Sequence, residues 1–123
     1  MSETGTGRSM EADLVAWGKA LRLETTGRRT GQPRRVTIGF VEQEGCLLVA
    51  SASAATHWAR NLQVEPRCRV ELGGARGAYR AVELTHHEGD AAVAALILKY
   101  GTPAERLGDG LAFRLEPAWP ERL

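Results

Sequence analysis

The 123 residues are 43% apolar and 25% charged with a formal net charge of +1. That balance suits one globular core needing neither disulfides nor a metal, and no apolar run reaches membrane-spanning length. The charge is concentrated: residues 22–35 carry five arginines and one glutamate, or +4, which leaves −3 for the rest. A nucleic-acid-binding face spreads its cations to neutralise several phosphates, so this distribution favours a small anionic ligand.

Residues 1–9 are polar and small, and are expected to form a disordered tail ahead of a single domain over 10–123. With no apolar signal core at this end, the chain is read as cytoplasmic. Met10, Leu14 and Trp17 fall at helical spacing, which predicts a short helix over 10–19. Leu21 and Leu23 alternate with Arg22 and Glu24 as in a strand, and a second strand is expected over 35–41 around Val36, Thr37 and Ile38. Residues 42–45 read as a hairpin turn and 46–50 as a buried third strand.

Thr56 can start a helix through about Val64, with His57 and Asn61 four apart, Trp58 and Asn61 three apart, and Pro66 ending it. Strands are expected over 67–72 and 79–84, separated by the turn at Gly73-Gly74. The polar run 86–90 leads into a helix over 91–100 closed by Gly101, and 111–115 forms the last strand. The sum is mainly β with helical additions (α+β): a small barrel of about six strands. Cys46 and Cys68 lie in separate strands without ligand spacing and read as reduced thiols. His57, His86 and His87 lack a second ligand at metal spacing, so no metal is expected.

Residues 24–35 hold four arginines, three threonines and two glycines between two strands. Backbone amides, hydroxyls and guanidinium forks together suit a phosphate or carboxylate. A solvated hairpin tip is the alternative reading of the same residues. The small residues at 49–53 would let a planar ligand lie against the backbone, or serve as a plain linker. Trp58 fits either a groove wall or the core. No hydrolase, P-loop or dinucleotide-binding motif occurs.

Three blocks in this order, Leu23 to Arg34, Leu48-Val49-Ala50-Ser51 and Trp58 to Pro66, resemble the deazaflavin-dependent nitroreductase family. The resemblance spans about Leu21 to Leu115. It implies a split β-barrel of the FMN-binding, flavin-reductase type that binds the deazaflavin coenzyme F-420 through its phospholactyl-glutamyl tail. By position, Arg28, Arg29 and Arg34 would hold the phosphate and tail with Thr30 and Gly31. Ser51 and Ala52 would lie against the ring, and Trp58 and Asn61 would line the tail side. Tyr100 belongs to the stretch that would face the substrate. The implied activity is hydride transfer from reduced coenzyme to a quinone, enone or nitro compound, with the cofactor carrying the chemistry. FMN on the same fold and a non-catalytic flavin-binding protein are the alternatives. The partners implied are a small-molecule substrate and a second copy of the chain, with no nucleic acid and no membrane span.

Overall fold

A computed structural model describes residues 9–118; the expected tail lies, apart from Ser9, outside the described residues. Seven strands form one antiparallel sheet: β1 (Leu21–Thr26), β2 (Pro33–Ile38), β3 (Val41–Gln43), β4 (Cys46–Ala50), β5 (Arg67–Leu72), β6 (Ala75–Glu83) and β7 (Ala112–Pro117). Their order is β2-β1-β5-β6-β7-β4-β3, which places β2 and β3 at opposite edges. Laid flat, seven strands would hold those edges roughly 29 Å apart at ~4.8 Å per strand. Only Gly39 and Phe40 separate β2 from β3, and three backbone steps reach at most about 11 Å. The sheet therefore curls into a half-barrel. Leu21 and Leu23 of β1 accordingly share one buried cluster with Leu47 and Val49 of β4, Val70 of β5, and Phe113 and Leu115 of β7.

The Gly39–Phe40 corner is why the single strand expected over 35–41 is two. Here side chains replace ladder partners. Tyr100 Oη accepts from Phe40 N at 3.0 Å, and Phe40 O accepts from Lys99 Nζ at 2.7 Å. A Cβ on Gly39 would come within 2.9 Å of the Tyr100 ring, so only glycine allows this approach.

Among the described residues three α-helices accompany the sheet: α1 (Met10–Ala16), α2 (His57–Val64) and α3 (His86–Tyr100). The first stops short of residue 19 because Gly18, at φ +76°, closes it with bonds from Gly18 N to Val15 O and from Lys19 N to Leu14 O. The third begins five residues earlier than its apolar periodicity suggests. Thr85 and Glu88 form a capping box, which recruits the polar run 86–90 as the first turn. After α3 a 3₁₀ segment, Thr102–Asp109, occupies a stretch to which the sequence assigns no element.

Both tight hairpins form where expected. Glu44-Gly45 joins β3 to β4 and Gly73-Gly74 joins β5 to β6, all four residues at positive φ. Both cysteines are free thiols, and burial pushes the Cys68 thiol up to about 12, which keeps it neutral. No helix of the described residues is long and apolar enough to cross a membrane.

Candidate functional site

The arginine-rich turn connects β1 to β2, with Thr26 paired to Pro33 across its base. Inside it Gly27 N donates to Gln32 O and Gly31 N to Gly27 O, both at 2.8 Å, while Thr30 Oγ1 accepts from Gln32 N at 3.1 Å. Gly31 takes φ +76°, the left-handed conformation that glycine adopts most readily. The buried Gly27 has no room for a Cβ, which would approach Thr30 Oγ1 to 3.0 Å and Gln32 O to 3.1 Å. The glycines and Thr30 thus give the turn its shape, and the arginines are what it displays.

Those four arginines have different surroundings. Arg35 donates from Nε to Glu24 Oε1 at 3.0 Å across the β1–β2 pair. Arg28 folds back on α2, with Nη1 2.9 Å from Asn61 Oδ1 and Nη2 3.4 Å from His57 Nδ1. Arg29 and Arg34 are exposed and form neither an ion pair nor a side-chain hydrogen bond among the described residues. A guanidinium left unpaired beside other cations is an open anion contact.

Facing the turn is the N-terminus of α2. Thr56 supplies no side-chain cap there, so the first-turn amides keep their partial positive charge toward whatever lies before them. Turn and helix together wall a groove of about 530 Å³ lined by Gly27, Arg28, Arg29, Thr30, Arg34, Arg35, Val36, Thr56, His57, Trp58 and Asn61. Trp58 is also core: it is 8% exposed, and its ring packs against Phe113 at a centroid distance of 6.0 Å. Asn61, 3% exposed, joins α2 to β1 by donating from Nδ2 to Thr25 Oγ1 at 3.1 Å.

Six of the nine residues assigned to the cofactor from sequence therefore line one groove: Arg28, Arg29, Thr30, Arg34, Trp58 and Asn61. Gly31 shapes the turn without lining it. Ser51 is buried against the start of β7, accepting from Leu111 N at 3.0 Å and donating to Ser53 O at 2.9 Å. Its own backbone amide goes to Leu111 O. Ala52 is exposed and stands outside the lining. Tyr100 does not line the groove either; its hydroxyl donates to Lys19 O at 2.9 Å and braces the Gly39–Phe40 corner.

Thr56 and His57 line the groove without having been assigned to it. The four-residue spacing to Asn61 is the sequence signal that puts His57 on the same side, whereas the missing side-chain cap of Thr56, a residue type that caps well, is a property of the structure alone. No group of three potential metal-ligating side chains occurs among the described residues.

A curled antiparallel half-barrel with an open, arginine-lined groove at its rim defines the split-barrel class of fold. Residues 3–102 match the model of the F420H(2)-dependent quinone reductase family, and the chain belongs to that family. It is thus an F420-dependent oxidoreductase.

Solved structures share the fold. An F420-H2 dependent reductase, FDR-A, is 22% identical with a TM-score of 0.68, over 80% of this chain and 94% of that one. HutZ, the heme storage protein from Vibrio cholerae, is 22% identical with a TM-score of 0.69, over 86% of each chain. A chain described as a domain-swapped dimer is 22% identical with a TM-score of 0.65, over 80% of each. At such identities the likeness is one of fold. No curated protein matches the chain in sequence.

Proposed function

We propose that the chain, as one domain over residues 10–123, transfers hydride from reduced F420 to a quinone, enone or nitro-type acceptor. The observation that carries the placement is the pair Arg29 and Arg34, unpartnered among the described residues and facing the groove opposite the uncapped start of α2. The donors fit the coenzyme. Its phosphate and glutamyl tail are anionic, and two guanidinium forks with a helix N-terminus suit such oxygens.

In this reading Arg29 and Arg34 hold the tail, and the amides of His57 and Trp58 add their dipole. Thr30 and Gly31 set the turn, while the indole of Trp58 closes the groove floor. Ser51 and Ala52 lie toward the ring and Tyr100 toward the substrate. Bound coenzyme supplies the hydride, and the chain's own residues orient it and keep water from the apolar wall made by Val36 and Trp58. A homodimer is the assembly we assign, by likeness to the domain-swapped relative, and the cytoplasm is the compartment.

The test is a fluorescence titration with F420. Each lost charge-assisted contact is worth about 1.5–3 kcal/mol, so Arg29→Ala with Arg34→Ala should weaken Kd by about a hundredfold or more. Because neither side chain holds the fold together, the melting temperature should stay close to that of the parent. Unchanged affinity in the folded double variant overturns the placement. Turnover of quinones, enones and nitroarenes with reduced coenzyme then separates the acceptor classes.

A further inference from the structure

Asn61 and Thr25 are the two buried polar side chains that join α2 to the strand before the arginine turn, at 3% and 2% exposure. Arg28 can only donate, so the oxygen of the Asn61 amide must face it. Oδ1 accepts twice from the same residue, from Arg28 N at 3.2 Å and from Nη1 at 2.9 Å. Nδ2 is turned the other way and donates one of its two hydrogens to Thr25 Oγ1 at 3.1 Å. Both acceptor sites of Oδ1 are thus filled from within the protein. Beyond it, Arg28 reaches the first turn of α2, with Nη1 3.5 Å from His57 O and Nη2 3.4 Å from His57 Nδ1.

We propose that Asn61 is a positioning residue. Through Arg28 it sets the spacing between the arginine turn and the start of α2, and so governs how Arg29 and Arg34 meet an anion, without itself supplying the contact. The inference rests on the groove being the coenzyme site. Arg28, in the same view, is the strut between the two walls, bonded through Nη1 to Asn61 and lying against His57.

The decisive variant is Thr25→Val with Asn61→Leu. It replaces both partners of the buried Asn61–Thr25 bond with apolar groups of similar size, and the Arg28 donors it releases are half-exposed and can turn to water, so the variant should fold. In the free protein, exchange of the Arg28 amide should accelerate because its acceptor is gone. F420 affinity by fluorescence titration should fall about tenfold, with the loss in KM for the coenzyme exceeding the loss in kcat. Arg28→Ala, on a half-exposed turn, should cost a similar factor.

Combining all three substitutions should leave the loss near tenfold, because the two arms act through one link and are not additive. A multiplied loss, near a hundredfold, would mean that Asn61 touches the coenzyme independently, and the proposal fails. It fails equally if Arg28→Ala, or the folded Thr25→Val/Asn61→Leu variant, binds F420 as the parent does while the Arg29→Ala/Arg34→Ala variant does not. Should the Arg29/Arg34 variant also bind normally, the groove assignment itself falls and this inference falls with it.

Discussion

The two ends of the molecule that the sequence marks as functional are built on opposite principles. At the β1–β2 turn and the start of α2, donors outnumber acceptors: Arg29 and Arg34 have no partner among the described residues, and Thr56 leaves its helix uncapped. Where β4 ends, the reverse holds. Ser51 uses its amide, its hydroxyl and the space around its carbonyl on Leu111, Ser53 and Gly110, and Tyr100 uses its hydroxyl on Phe40 and Lys19. Unpaired donors cost little at an exposed rim and much in a core. A binding surface for an anion therefore keeps its donors open, while the knot that shapes the barrel closes all of its own. The same small or polar residue types serve both ends, and only the count of satisfied groups tells them apart.

The largest effect should come from the closed end. A Cβ on Gly110 would overlap the carbonyl of Ser51, and backbone cannot yield as a flexible side chain can. Gly110→Ala should cost about 3 kcal/mol or more in stability, read as a lower denaturant midpoint at unchanged m-value. Whatever part of the variant stays folded should still bind F420, because the arginine turn is untouched. A variant that is fully stable yet blind to the coenzyme would invert the comparison and make residues 51 and 110, not the arginine turn, the source of the affinity.

This asymmetry also explains what was legible in the sequence. Strand periodicity, the two Gly-containing hairpins and the arginine turn are local signals and appear where expected, except that β6 begins four residues early, at Ala75, because it pairs with β5 directly from the Gly73-Gly74 turn, and that the strand over 35–41 is split. The corner at Gly39–Phe40 was not legible because it depends on Tyr100 and Lys99, sixty residues away, to replace ladder bonds. The early start of α3 was legible in principle. Thr85 and Glu88 stand at capping-box spacing, and the helix-breaking look of Gly89-Asp90 hid it.

At the site, Arg28, Arg29, Thr30, Arg34, Trp58 and Asn61 share a groove because the turn and α2 each carry their residues at short range. Which arginine is open and which is paired could not be read from spacing. That depends on Glu24 lying opposite Arg35 across a strand pair, and on Asn61 reaching Arg28 from another element. Ser51 sits in a stretch of small residues that looks like a ligand platform, while Leu111, which bonds both its amide and its hydroxyl, lies sixty residues away just before β7.

A middle-sized effect belongs to the corner. Tyr100→Phe removes the acceptor of Phe40 N and the donor to Lys19 O, at 3.0 and 2.9 Å, while keeping the ring against Gly39. Loss of these bonds should destabilise by about 1–2 kcal/mol, measured by chemical denaturation. Affinity for F420 should not follow, since Tyr100 does not line the groove. If affinity falls while stability holds, Tyr100 belongs with the open end of the molecule.

The smallest effect tests the other end of α2, where an arginine is paired as completely as Arg29 and Arg34 are not. Glu65, just after the helix, accepts from Arg67 Nε at 3.0 Å, Nη2 at 2.9 Å and its backbone amide at 3.0 Å. The hydrogen bonds from the Arg67 side chain and then its amide hold the Glu65 carboxyl at about 2, below its ordinary 4.5. A carboxylate whose pKa is depressed on folding adds stability that is fully present above its unfolded value and lost as pH falls through the folded one. The contribution is therefore whole above pH 4.5 and disappears towards pH 2. Because the pair is solvent-exposed, it is screened and modest. Glu65→Gln should lower the melting temperature slightly at pH 7, and the two melting curves should converge on acidification through that window. A gap that persists at pH 2 would mean that Glu65 holds α2 by something other than its charge.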